Sequence, residues 1–494
     1  MEPHQILAVA GALLLLGVFS SKLSSRFNMP ILLMFLAVGM TCGSDGLGWV
    51  SIGREQAPEI TFLGTVAMCF ILFSGGLDTS YKNIKPVLTP GIVLATAGVL
   101  VTALLLGLGA ALIFDADLKS CLMLGAIVSS TDAAAVFAIL RSKGVSLKGN
   151  LRGLLELESG SNDPMAAFLT IFMLSVVTGD TTSPWLFIPQ LLAKMLIGVG
   201  TGALFGKAGA QVFNRLKLDY EGLYLVCSAA LVIFAYGVAE LCYGNGFMAV
   251  YVCGLFMGNL RYNYQKGINR FTDGLAWLMQ VALFTALGLL VNPHELLDYR
   301  IWLGGIVLSL VLMFVARPAA VFLCTSFFNF SIREKTLISW VGLRGAAPIV
   351  LATFPLVKDV ENAGLMFNMV FFLVLSSVIL QGRTLMPMAR WLKLDSPLND
   401  RSRAPLELEH TDEISGETHE FDVTGNSSAI DKTLAELNLP HTVLVMLIRR
   451  NKKFILARGN TKIHLGDGML MMGDRECLQE VASKFFPDDE TFNK

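Results

Sequence analysis

Polar and apolar positions in this chain are arranged in blocks. Up to residue 390 apolar stretches follow one another at 5–20, 30–44, 60–77, 87–114, 119–140, 150–178, 185–212, 221–241, 245–260, 270–291, 299–327, 333–355 and 364–390. A helix needs about 20 apolar residues to cross the hydrocarbon of a bilayer. The pattern therefore predicts about thirteen transmembrane helices, numbered here spans one to thirteen. After Arg390 the blocks end. Residues 393–417 are polar and acidic with prolines, which reads as a linker. Strand-like runs follow at 421–423, 441–448, 453–458 and 468–472, with helical patterns at 429–437 and 475–486. The expected division is a membrane domain, 1–392, a linker, 393–417, a small α/β domain, 418–487, and a tail, 488–494.

The charges between spans orient them. Alternate connections carry Lys22/Arg26, Lys82/Lys85, Arg141/Lys143/Lys148/Arg152, Arg215/Lys217, Arg261/Lys266/Arg270 and Arg333/Lys335. The intervening ones carry mainly acidic or neutral residues: Asp45/Glu55/Glu59, Asp115/Asp117, Asp180, Asn245, Glu295/Asp298 and Asp359/Glu361. Cytoplasmic loops are enriched in Lys and Arg. This places the N-terminus outside and everything after Arg390 in the cytoplasm. The first residues lack the basic start of a signal peptide, so residues 5–20 are read as a retained first helix.

Composition agrees with the pattern. The sequence is 54% hydrophobic and only 16% charged, with a mean hydropathy of +0.60, against about 25% charged residues in soluble domains. A net charge of −1 gives no footprint for nucleic acid. Seven of eight cysteines lie in or beside apolar segments and no CxxC occurs, so neither a disulfide framework nor a zinc site is indicated.

Polar residues inside the spans carry the chemistry. In span six, Glu156, Glu158 and Asp163 fall within eight positions. A carboxylate at membrane depth is expensive and marks an ion pathway unless it reaches water. Glu156 lies close enough to the helix end to snorkel; Asp163 lies about two turns deeper. Span five is interrupted by Ser129-Ser-Thr-Asp132, and span twelve by Gly342-Leu-Arg-Gly345 and Pro348. Leu72-Phe-Ser-Gly-Gly-Leu-Asp78 in span three is echoed by Leu283-Phe-Thr-Ala-Leu-Gly-Leu289 in span ten. Seven spans separate the two, so the copies are inverted, and spans five and twelve correspond. Paired interruptions in two such halves are the best sequence pointer to a transporter's central site. Opened turns expose carbonyls to a cation and leave dipole ends to compensate. Desolvation favours the neutral form of a carboxylate, which allows one group to exchange a proton for a cation near neutral pH. No histidine falls in any span, so no intramembrane histidine relay is expected. The glycines from Gly198 to Gly209 in span seven read as close helix packing. Arg317-Pro318 in span eleven reads as a pair for a core carboxylate or a helix kink rather than as pore lining.

Thr131-Asp132, Glu158-Ser159-Gly-Ser-Asn162-Asp163 and Gly342-Leu-Arg-Gly345 together resemble the core of the monovalent cation:proton antiporter family, closest to its NhaP-type branch. The likeness covers all thirteen spans, and the Asn-Asp pair is that of the electroneutral branch. It implies that Asp163 binds either one cation or one proton, that Ser159 and Thr131 add oxygens to the ion, and that Asn162 holds the crossed backbone. It also implies that Asp132 compensates the broken helix ends and that Glu158 pairs with Arg344. Thr131-Asp-Ala stands where many members have Thr-Asp-Pro, so the unwinding of span five is expected to differ in detail. Leu437-Asn-Leu-Pro440, Arg449-Arg-Asn-Lys-Lys453 and Leu465-Gly-Asp-Gly468 resemble the C-terminal lobe of RCK regulators, the TrkA-C domain. That lobe dimerises and can sense a small ligand, often a nucleotide; a passive dimerisation module is the alternative.

The expectation is a non-enzymatic, homodimeric antiporter of the bacterial inner membrane. It would exchange K⁺ for H⁺ one for one at a single carboxylate by alternating access, under control of its cytoplasmic domain. Na⁺ is the second choice of ion. A ligand-gated channel or a sensor is the alternative of another class.

Overall fold

Apolar stretch and helix coincide along most of the membrane part. The computed structural model describes residues 3–27, 31–50, 53–180, 184–216, 218–291, 293–296, 298–397, 417–450 and 453–487. It separates into two compact units, one of residues 1–261 and 268–398, the other of 399–494 with 262–267. Most of the expected linker, 398–416, and the expected tail, 488–494, lie outside the described residues, as does Lys217.

Nine helices among the described residues are long and apolar enough to cross a membrane. They carry spans three to eight, ten, eleven and thirteen. Shorter apolar helices, Leu7–Ser20, Ile31–Cys42, Gly246–Asn259 and Ala346–Val357, stand at spans one, two, nine and twelve. A crossing by length is thus shown for nine of the expected thirteen.

Two features display the repeat. Spans four and eleven each contain one π-helical turn, Leu94–Gly98 and Leu312–Ala316. Such turns are rare and favour functional sites. The two helices pack together, with a Cβ at Gly109 falling 3.3 Å from Val311. The second feature is a pair of glycine crossings. Gly39 of span two lies against the Thr285 carbonyl and Gly288 of span ten. Gly254 of span nine lies in the same way against the Phe73 carbonyl and Gly76 of span three. Moving seven spans along turns the first crossing into the second. The crossings equate Phe73 with Thr285 and Gly76 with Gly288, one residue out of step with the match read from the sequence. Side-chain identity suggested that match, but backbone approach at a glycine sets the register, because only there can two helices touch main chain to main chain.

Span seven shows the same small-residue packing. Gly198, Gly202 and Gly206 face the carbonyls of Asn245, Ala249 and Cys253 on span nine, one helical turn apart each time.

Two short strands adjoin the helices. β1 (Val145–Leu147), between spans five and six, pairs antiparallel with β2 (Asp395–Pro397), just after span thirteen. Residues 395–397 of the expected linker are therefore strand.

The second unit is a four-stranded antiparallel sheet, β3 (Glu417–Asp422), β4 (Leu444–Arg450), β5 (Lys453–Leu456) and β6 (Gly468–Gly473), in the order β3-β6-β4-β5. The helix Arg475–Phe485 supplies Leu478, Val481, Ala482 and Phe485 to its core. The helix expected at 429–437 does not form. Those residues are a run of turns whose backbone pairs with the segment 459–463, through Asp431 N–H to the Ile463 carbonyl at 2.9 Å and Ala435 N–H to the Gly459 carbonyl at 2.9 Å. Asp431 and Asn438 take left-handed backbone conformations, which suit Asp and Asn and end any helix. Thr433 and Glu436 bond one another's backbone N–H groups, an N-terminal capping signature spent here on an isolated turn.

Candidate ion-exchange site

Spans five and twelve both break in mid-course. Helix Leu118–Val128 stops, four residues run unwound, and helix Ala133–Ser142 begins; likewise Ile332–Trp340 is followed by unwound residues 341–345 and then Ala346–Leu351. The unwound segments bond to each other: Asp132 N–H donates to the Leu343 carbonyl at 2.7 Å.

At membrane depth every freed backbone group needs a partner. The Asp132 carboxylate caps its own helix by accepting from Ala135 N–H at 3.1 Å. It also lies against Gly345, the residue opening the second half of span twelve, where a Cβ would fall 2.7 Å from Asp132 Cγ. One negative charge thus sits at two positive helix ends. Arg344 does the converse, donating from Nη1 to the Ser130 carbonyl just past the end of Leu118–Val128. Ser377 accepts from Arg344 N–H at 3.2 Å, and Gln381 donates to the Trp340 carbonyl at 3.0 Å, so span thirteen satisfies span twelve.

Span six holds the break in span five. Ser159 accepts from Ala133 N–H at 2.9 Å and donates to the Thr131 carbonyl at 3.0 Å. Asn162 Nδ2 donates to Thr131 Oγ1 at 2.6 Å. The backbone role expected of Asn162 is therefore filled by Ser159, while Asn162 fixes the Thr131 hydroxyl. Gly160, between them, leaves room for the Tyr251 ring of span nine.

The expected pairing of Glu158 with Arg344 is replaced. Glu158 forms its ion pair with Arg317, and both side chains are essentially sealed from solvent, at 1% and 3% exposure. Arg344 lies within electrostatic range of both Glu158 and Arg317 but spends Nη1 on the backbone of span five. Gly342 makes the Arg317 contact feasible, because a Cβ there would fall 2.9 Å from Arg317 Nε. The two glycines of Gly342-Leu-Arg-Gly345 thus admit Arg317 and Asp132. Glu156 was expected to snorkel to water; its side chain is 14% exposed and pairs with Arg152 at 2.8 Å.

Asp163 is half-buried and faces a cavity that Asp132 and Gly345–Ala347 also line, with Met68, Leu72, Gln280 and Phe284 opposite. Asp163 and Asp132 interact electrostatically, and Ser130 stands beside Asp163. The structure therefore gathers Thr131, Asp132, Ser159, Asn162 and Asp163 in one place. Ser130 and Gln280 were not singled out from the sequence. Ser130 stood in the polar run of span five; nothing in the sequence distinguished Gln280.

A desolvated carboxylate beside opened backbone and hydroxyls offers the kinds of oxygen that a monovalent cation takes. Comparisons with known proteins give the family. The sodium/hydrogen exchanger transmembrane model matches residues 11–391, and the TrkA-C domain model matches residues 418–485. The chain is 39% identical to "K(+)/H(+) antiporter NhaP" of Alkalimonas amylolytica over 96% of this chain and 82% of that protein. It is 37% identical to "K(+)/H(+) antiporter NhaP2" of Shewanella sp. (strain MR-4) over 97% and 83%. Its fold is similar to that of the sodium proton antiporter MjNhaP1 from Methanocaldococcus jannaschii, with a TM-score of 0.69 and 24% identity over 79% of this chain and 99% of that one. The chain belongs to the sodium/hydrogen exchanger family and carries a C-terminal TrkA-C domain.

Proposed function

We propose that this protein exchanges K⁺ for H⁺ across the bacterial inner membrane, electroneutrally and by alternating access, at the single carboxylate of Asp163. The observation that carries the reading is the meeting of Asp163 with two crossed, broken helices at one cavity. A pore has no need of a proton-competent carboxylate there, which weighs against a channel or a sensor. Once Glu158 is matched by Arg317 and Asp132 by helix ends, Asp163 is the deep carboxylate left to carry a cation or a proton. K⁺ is favoured because the relatives at 37–39% identity are named K⁺/H⁺ antiporters; Na⁺ is the runner-up, as in the name of the family.

Thr131 and Ser159 add oxygens to the ion through lone pairs their hydrogen bonds leave over. The helices that carry the breaks move against spans two, three, nine and ten, which glycine crossings lock in pairs, two with ten and three with nine. The N-terminus faces outward, the TrkA-C domain is cytoplasmic and regulatory, with a small ligand such as a nucleotide as its effector, and the protein works as a homodimer.

The test is cation-dependent proton flux in proteoliposomes with K⁺, Na⁺ and Li⁺ compared. Exchange led by K⁺ is expected. Flux driven equally without added cation would overturn antiport, and Na⁺ in the lead would reassign the ion.

A further inference from the structure

The cavity at Asp163 has two unlike walls. Spans five, six and twelve contribute Asp132, Asp163 and the opened backbone. Spans two, three and ten contribute Leu32, Met68, Ile71, Leu72 and Phe284, all apolar, and one polar side chain, Gln280. Gln280 and Phe284 are four residues apart and share a face of the helix Gln265–Leu290. Gln280 is half-buried, and its amide forms no hydrogen bond among the described residues. An unengaged amide on an apolar wall costs more than a leucine or methionine there. Nothing in the packing of span ten asks for it.

We infer that Gln280 is a specificity-determining ligand: its amide oxygen completes the coordination of the cation at Asp163 from the opposite wall, directly or through one water, and sets the preference among alkali cations. This rests on the antiport reading above. The chemistry suits an exchanger. A neutral oxygen stabilises the cation-loaded state, yet it neither titrates nor adds charge, so it leaves proton binding and the electroneutral cycle untouched. Its field is weaker than a carboxylate's, which favours the larger and less tightly hydrated cation. The oxygen also belongs to span ten, which a glycine crossing locks to span two, outside the helices that carry the breaks. It therefore meets the cation only while Asp163 faces this cavity, and the ion leaves it when the site turns away.

Gln280→Met keeps the volume and removes the oxygen. In proteoliposomes its apparent KM for K⁺ is expected to rise about 3- to 10-fold, the loss of one neutral ligand. The K⁺/Na⁺ preference should narrow, with Vmax within about twofold and the pH profile at saturating cation unchanged. Gln280→Glu keeps an oxygen and adds a titratable charge, so it should retain cation affinity while shifting the pH profile. This second variant decides the matter if the first is poorly folded by thermal melt. Wild-type KM and selectivity in Gln280→Met, or a fall in Vmax alone, would overturn the assignment, as would a wild-type pH profile in Gln280→Glu. A wild-type protein without cation-dependent flux would overturn the antiport reading itself, and this inference with it.

Discussion

The backbone N–H of Asp132 donates to the carbonyl of Leu343, 2.7 Å away, and so ties the broken middle of span five to that of span twelve. Around this one bond, charge and dipole are matched: the Asp132 carboxylate lies at two helix beginnings and the Arg344 guanidinium at a helix end.

Gly345 is what lets the two breaks approach. A methyl group there would collide with Asp132, at 2.7 Å from Cγ. Overpacking of this kind costs about 1–3 kcal/mol. Gly345→Ala should lower the thermal midpoint in detergent and reduce cation-dependent flux, whereas Gly75→Ala, at a site with open space around it, should do neither. Equal effects from the two variants would refute the close-approach argument.

Arg317 and Glu158 form a fully buried pair. Removing one partner of such a pair costs about 3–5 kcal/mol, because the other charge is left uncompensated. Arg317→Met and Glu158→Gln should each destabilise strongly, and the double variant should lose much less than their sum. The same cycle with Arg344→Met should show weaker coupling to Glu158. A larger coupling for Arg344 would restore the pairing expected from the sequence.

In the TrkA-C domain, burial pushes the Asp467 carboxyl up, but hydrogen bonds from Arg450 and the His464 backbone, with the Arg450 charge, outweigh this and hold it below its usual range. A depressed carboxyl contributes stability that is present above its unfolded value, about 3.9, and lost as pH falls through the lower folded value. Arg450 is held above its usual range, so its own loss falls at strongly alkaline pH. Arg450→Met should therefore reduce hydrogen-exchange protection of β4 and β6 at pH 7 in the intact protein. The difference from wild type should close as pH is brought below about 4. A gap that persists in acid would show that Arg450 acts through packing alone.

Much of this site could be read from the sequence because membrane burial makes polar residues conspicuous. Ser129-Ser-Thr-Asp132 and Gly342-Leu-Arg-Gly345 stood out for that reason, and the chain is unwound at both. The choice between Arg317 and Arg344 could not be read, since it depends on how spans six, eleven and twelve are rotated about their axes. Gln280 was hidden for a related reason: one polar residue in an apolar helix does not reveal which neighbour it faces. The segment 429–437 misled because its helical pattern is local, while the backbone pairing with 459–463 that overrides it is not.

If Asp163 is the one carboxylate that exchanges, as proposed above, the moving unit carries the same net charge in both directions. Membrane potential, about 2.3 kcal/mol per charge per 100 mV, then does no work on the cycle. Proteoliposomes held at a fixed pH gradient should reach the same K⁺ distribution with or without an imposed diffusion potential. A voltage-dependent distribution would mean that a second charge moves, and Asp132, in the same cavity, would be the first to examine.

The most direct measurement is cation-dependent proton flux through Asp163→Asn reconstituted in proteoliposomes. The amide keeps the shape of the side chain and removes the exchangeable charge. Exchange should be abolished while the protein keeps its thermal stability and oligomeric state in detergent. Substantial exchange by a folded Asp163→Asn would contradict the assignment of Asp163 as the group that carries cation and proton in turn.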